Sequence, residues 1–246
     1  MKVSKIVAIG VVSISTIVGA ANTSFAAVAS QANSKAGVTF KEGSSPINPV
    51  DPTDPTTPLE PTDPTTPLEP TDPTNPTNPP TGESGPLTLD YVSSVQFGSK
   101  EISISNEVYS STSKKPFIQV SDRRGTGAGW KVTAKASRFS NGISETLPGA
   151  VLTFKNGSVA TPGIGTSPTP AQTITLNTDG LTESLVVTAE PGTGLGTWLT
   201  RWLGPNPNVN DGALNNNVTL QIPGGSATIG NHEAVVTWTL VDAPGV

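Results

Sequence analysis

VVTWTLVDAP, residues 235–244, is the stretch whose reading decides the fold. In an extended chain successive side chains point to opposite faces. Ala234, Val236, Trp238 and Leu240 then share one face, and Val235, Thr237, Thr239 and Val241 share the other. The earlier run GWKVTAKASRF repeats the arrangement, with Trp130, Val132, Ala134 and Ala136 on one side. Lys131, Thr133 and Lys135 lie on its other side, which is therefore expected to meet water. A Trp-x-apolar pattern is what a strand needs to set two large apolar groups side by side in a core. It is also what a recognition surface built on tryptophan would show. Burial of the two indoles separates these readings.

Working outward, the same period-two pattern recurs between turn residues. PLTLDYVSSVQF, KEISISNEVY, PFIQVSD, AVLTFKN, AQTITLNT, ESLVVTAE and NVTLQI all read as short strands. Val, Ile, Thr and aromatic residues alternate within them, and Gly, Pro, Asn and Asp separate them. No segment carries a sustained apolar 3.6-residue period. The expectation for residues 85–246 is an all-β domain, an antiparallel β-sandwich or barrel-like fold.

Two different segments precede that domain. A basic start at Lys2 and Lys5, an uncharged apolar run over residues 6–21 and small residues at Ser24 and Ala26 predict a secretory signal peptide over residues 1–26. The run is short for a membrane span and no stop-transfer charges follow it. Residues 27–84 are expected to be a disordered stretch followed by an acidic spacer. Proline stands at every third position from Pro46 to Pro79, twelve times, and a nine-residue repeat covers residues 54–62 and 63–71. Three residues per turn is the polyproline II period, so the prolines would line one edge of an extended rod. Fully extended, it would reach on the order of 100 Å.

Charge follows the same division. Eight carboxylates and no Lys or Arg lie between Glu42 and Glu83, whereas residues 84–246 hold eleven acids and ten bases. A near-neutral domain without a basic run is a poor partner for nucleic acid, which calls for phosphate-neutralising cations. The chain has no cysteine. An exported domain of this kind holds its fold by burial and hydrogen bonds, and a thiol nucleophile is excluded.

A second tryptophan pair occupies EPGTGLGTWLTRWLGPNPNVNDG. Trp198 and Trp202 are four apart with Arg201 between them, in a stretch crowded with Gly, Pro and Asn. The expectation is an irregular loop presenting an aromatic pair. It serves either as a binding surface of Trp-plus-Arg composition or as a cap folded onto the domain. If Trp130 and Trp238 are core, Trp198 and Trp202 would be the more accessible indoles.

Catalytic patterns are weak. The single histidine, His232, lies in IGNHEAVV with no G-x-S-x-G elbow. A glycosidase needs two positioned carboxylates, and no pair stands out among the domain acids. NPNVNDG has oxygen side chains at alternate positions, but neutral ones, and no bidentate Glu follows at calcium-loop spacing. A plain Asn/Gly turn accounts for it. Neither a metal nor a cofactor is expected, and the reading is non-enzymatic. A secreted polysaccharide-active enzyme is the weaker alternative.

GPLTLDYVSSVQFG (residues 85–98), VSDRRGTGAGWKV (120–132) and the closing VVTWTLVDAP together resemble the WxL-domain family of Gram-positive cell-surface proteins. The acidic Asp-Pro-Thr spacer is similar to that of family members too. Two features differ: Val132 stands where the motif has Leu, and no tyrosine shortly precedes the distal motif. The resemblance implies a secreted protein on the cell surface, held non-covalently to peptidoglycan or another wall glycan. It also implies a surface complex with other wall proteins, including companions that bind WxL domains. Trp130, Val132, Trp238 and Leu240 would carry the association, with Trp198, Trp202 and Arg201 added by the aromatic-pair reading. No membrane span is expected after signal removal. A sorting motif with an apolar tail is absent from the C-terminus, which fits non-covalent retention.

Overall fold

A computed structural model describes residues 30–59 and 78–242; the expected signal peptide, most of the proline repeat and residues 243–246 lie outside the described residues. Contacts divide the chain into Met1–Thr39 and Phe40–Val246. In the first unit, residues 30–39 are exposed and without regular structure. The second holds all the strands.

In chain order these are β1 (Leu87–Val92), β2 (Glu107–Ser111), β3 (Phe117–Asp122), β4 (Trp130–Ala136), β5 (Phe139–Ser140), β6 (Glu145–Thr146) and β7 (Val151–Lys155). There follow β8 (Ser158–Ala160), β9 (Thr169–Pro170), β10 (Thr173–Asn177), β11 (Ser184–Ala189), β12 (Gly196–Arg201), β13 (Asn215–Ile222) and β14 (Val236–Asp242). The described residues contain no helix, and so none able to cross a membrane. Three four-stranded sheets form, ordered β1-β3-β12-β8, β10-β7-β13-β2 and β14-β4-β11-β9, with a β5-β6 hairpin beside them. Every pairing is antiparallel. The expected all-β antiparallel architecture is therefore present.

One core joins the three sheets. Ile118, Val120 and Trp198 enter it from the first sheet, Leu152, Phe154, Ile174 and Val218 from the second, and Trp130, Val132 and Val187 from the third. Burying each such side chain stabilises the fold by roughly 1.5–3 kcal/mol. β4 shows the driving pattern plainly. Trp130, Val132, Ala134 and Ala136 are buried, whereas Lys131, Thr133 and Lys135 are half-buried.

β3 behaves differently, being buried along its whole length. Ile118 and Val120 face the core, and Phe117, Gln119 and Ser121 face a strap made by residues 48–59. A bulge in β1 between Leu89 and Tyr91 sets Asp90 and Tyr91 on this same outer side, as bulges re-aim side chains. Tyr91 stacks on Phe117 with centroids 4.5 Å apart, and Val50 and Leu59 of the strap pack against them. Over Pro49–Leu59 the chain is not an extended rod. It doubles back, with Leu59 N donating to Pro49 O at 2.9 Å and Asp51 N to Thr57 O at 2.8 Å. An apolar pair at its two ends and the Asp51–Lys115 ion pair at 3.1 Å give the hairpin a seat that an extended rod would leave empty.

Candidate functional site

The two tryptophan motifs are neighbouring strands of one sheet. β14 pairs with β4 so that Leu240 faces Val132, Trp238 faces Ala134 and Asp242 faces Trp130. Large side chains thus meet small or medium ones across the ladder, and the two indoles are offset along the seam rather than competing for one place. Ala134 is what makes room for Trp238.

The two indoles have different surroundings. Trp130 is fully buried and its Nε1–H donates to Gly194 O at 3.1 Å. Trp198 donates in turn to the next carbonyl, Leu195 O, at 2.9 Å. Gly194 is held at φ +74°, and a Cβ there would lie 2.5 Å from Ala189 Cβ and 2.7 Å from Trp130 Nε1. Only glycine supplies both that backbone and that clearance. Trp238 is half-buried. It packs on Trp202 and Phe154, with centroids at 6.0 and 5.8 Å, and it also opens into a surface groove.

That groove, of about 500 Å³, runs between two edge strands, β14 of the third sheet and β1 of the first. Trp238, Leu240, Leu87 and Leu89 supply its apolar surface, and Glu83, Asp242 and Arg124 supply charge. The outer edge of β1 is already satisfied: Asn78 Nδ2 donates to Val92 O at 2.7 Å, and Thr81 Oγ1 to Leu89 O at 2.7 Å. β14 pairs on one side only among the described residues.

Arg124 fixes the far end of the seam. It grips the buried carboxylate of Asp122 through Nε at 3.0 Å and Nη2 at 2.8 Å, and Nη2 also donates to Gly129 O at 2.8 Å. Nη1 contacts Asp242. Gly129 precedes Trp130, and Asp242 is the ladder partner of Trp130, so one guanidinium ties both motif strands to β3. The hydrogen bonds it donates to the Asp122 carboxylate raise the pKa of Arg124 above its ordinary value.

The second tryptophan pair is placed otherwise than expected. Trp198 lies within β12, which pairs with β3 and β8, and Trp202 directly follows it. Thr197, Leu199 and Thr200 make good strand residues, and the Gly-rich and Asn/Pro-rich flanks are the turns at its ends. Both indoles are buried, at 4% and 1% exposure, as the cap reading has them and not as an accessible binding pair. Trp202 Nε1 has no hydrogen-bond partner among the described residues. Arg201 points to the opposite face and donates to Pro52 O of the strap.

Of the seven residues singled out by sequence, the structure gathers Trp238, Leu240, Val132 and Trp202 around the seam. Trp130 and Trp198 meet at the Gly194–Leu195 turn, and Arg201 stands apart from both groups. Sequence reasoning missed Arg124, Glu83, Asp242 and Phe154. Leu87 and Leu89 carried a signal in their alternation, but nothing local placed them beside β14.

No curated protein and no solved structure matches the chain. A family model described as WxL domain surface cell wall-binding matches residues 27–244. That match covers both tryptophan strands, the turn that holds the Trp130 and Trp198 indoles and the strap, and the chain belongs to the WxL domain family of cell wall-binding surface proteins.

Proposed function

We propose that this member attaches to the wall non-covalently through the groove at the β14–β1 boundary, with Trp238 and Leu240 as its apolar floor. The family's cell-surface, wall-binding character is the starting point. The observation that carries the finer reading is the contrast among the four tryptophans. Three are closed into the core, and Trp238 alone is half-open, beside charged side chains. An indole face takes the C–H surface of a sugar, and the Glu83 and Asp242 carboxylates accept hydroxyl or amide N–H donors of a peptidoglycan fragment. The reading is non-catalytic. His232 is engaged by Thr146 Oγ1 at 3.0 Å and Thr228 O at 2.8 Å. The buried carboxylate Asp90 is held by Thr88, Gln119 and Ser121 beneath the strap.

A second reading rests on β14 being an edge strand. An extended segment of a companion wall protein would add to that edge and place alternate side chains in the same groove, building the surface complex. Co-sedimentation with protein-stripped walls and with intact walls separates the two. Glycan contact predicts that the wild type pellets with both and that Trp238→Ala loses at least tenfold in affinity for stripped walls while staying folded. Pelleting with intact walls only would transfer the site to a protein partner.

A further inference from the structure

The docked strap has a near-copy next to it in the sequence. Residues 49–59 read PVDPTDPTTPL and residues 58–68 read PLEPTDPTTPL, differing at two of eleven positions. Both differences are conservative, Val50 becoming Leu59 and Asp51 becoming Glu60. The third unit, residues 67–77, is PLEPTDPTNPT. It puts Asn75 in the place of Thr57 and Thr77 in the place of Leu59, so it lacks the closing apolar anchor.

We propose that the outer face of the first sheet is a binding site for this acidic Pro-Thr unit, and that residues 58–68 of the same chain are its alternative ligand. The docked hairpin shifts by one repeat, and the second copy takes the seat of the first.

The seat reads features that both copies have. Gln119 takes the strap backbone from both sides, accepting from Val50 N at 2.9 Å and donating to Asn48 O at 3.2 Å. Arg201 donates to a second backbone carbonyl, Pro52 O. Lys115 needs a carboxylate, Asp51 now and Glu60 after the shift. Tyr91, Phe117 and Leu199 need an apolar residue at each end of the hairpin: Val50 and Leu59 now, Leu59 and Leu68 after it. Thr53 Oγ1 donates to Asn208 Oδ1 at 3.1 Å, and Thr62 stands nine residues on. Pro49 and Pro52 are buried and recur as Pro58 and Pro61. The hairpin's main-chain hydrogen bonds carry over, and so do those that Asp54 accepts from Thr56 and Thr57, because Asp63, Thr65 and Thr66 repeat that trio. What is lost is the turn in which Asp51 Oδ1 accepts from Thr53 N and Thr53 Oγ1, each at 2.6 Å, and from Asp54 N at 3.3 Å, because a glutamate is one methylene too long for it.

Chain length permits the shift. The strap is held upstream where Gly85 N donates to Ser44 O at 3.0 Å and downstream where Asn78 donates to Val92 O. In the shifted register residues 69–77 span from the seat to Asn78. Val92 adjoins Tyr91, which the seated leucine touches, and nine extended residues reach roughly 30 Å. The slack upstream adds little, since closure entropy grows slowly with loop length.

Because the chain contains no cysteine, the register can be read by cross-linking in the full-length protein. Three double variants share Asn208→Cys and add Thr53→Cys, Thr62→Cys or Thr71→Cys, one per repeat. With a short bis-maleimide, the first pair reports the observed register and the second the shifted one. Losing that turn's hydrogen bonds predicts an intramolecular Thr62 product at roughly one-tenth of the Thr53 yield, and Thr71 at background. Glu60→Asp restores the turn and raises the Thr62 product several-fold. A Thr62 yield no higher than that of Thr71, indifference to Glu60→Asp, or product only between chains would overturn the proposal. Absence of the Thr53 product would contradict the docked hairpin itself.

Discussion

At the residue scale, two groups hold the account to specific numbers. Gly194 combines a left-handed backbone with a site where a methyl would strike Ala189 and the Trp130 indole. Gly194→Ala is therefore expected to cost more than about 2 kcal/mol, read as a lower urea midpoint with unchanged slope. Asp90 is the second. Burial raises its pKa above the ordinary 3.8, against the lowering effect of its hydrogen bonds to Ser121, Thr88 and Gln119. A raised carboxyl binds its proton more tightly folded than unfolded, so its contribution is most favourable at low pH. It weakens as pH rises from 3.8 through the folded value. Asp90→Asn keeps the shape and removes that slope. Between pH 4 and pH 7 the variant is predicted to gain stability relative to wild type, and at pH 7 to lie within about 1 kcal/mol of it. A variant that loses ground over that range would refute the burial argument. Neither residue was legible beforehand. A Gly in GTGLG and an Asp in TLDYV look like turn and surface until the partner elements are known.

At the scale of elements, period-two alternation carried most of the fold. Each of the nine runs read as strands contains one, and the two motif strands pair directly as the β4–β14 ladder. The pattern failed where burial was two-sided or the neighbours misleading. Simple alternation along β3 would put Gln119 toward solvent, yet the strap covers it. β12 reads as a loop because its glycine- and proline-rich flanks outweigh six residues of strand, and a central strand buried on both faces need not alternate. Arg124 is the joint that no local pattern shows, uniting β3, β4 and β14. Arg124→Ala leaves the Asp122 carboxylate buried without its partner. The expected loss is about 3 kcal/mol or more, with the Trp130 and Trp238 indole signals both disturbed. A change confined to one strand would show that the clip is not shared.

For the whole molecule, the sequence resemblance and the family match agree on a wall-binding surface protein, and the structure relocates the chemistry within it. Trp130 and Val132 organise the fold. Trp198 and Trp202, read from sequence as either a binding pair or a cap, fill the core. Trp238 packs on the core and lines the groove, so under the proposed function one residue serves as both scaffold and contact. The most direct measurement follows the four indole N–H signals by NMR during titration with soluble peptidoglycan fragments. The account predicts that Trp238 exchanges with solvent fastest and is the signal that shifts, with Trp130, Trp198 and Trp202 protected and nearly still. Binding that leaves Trp238 unmoved, or that moves a buried indole first, would contradict it.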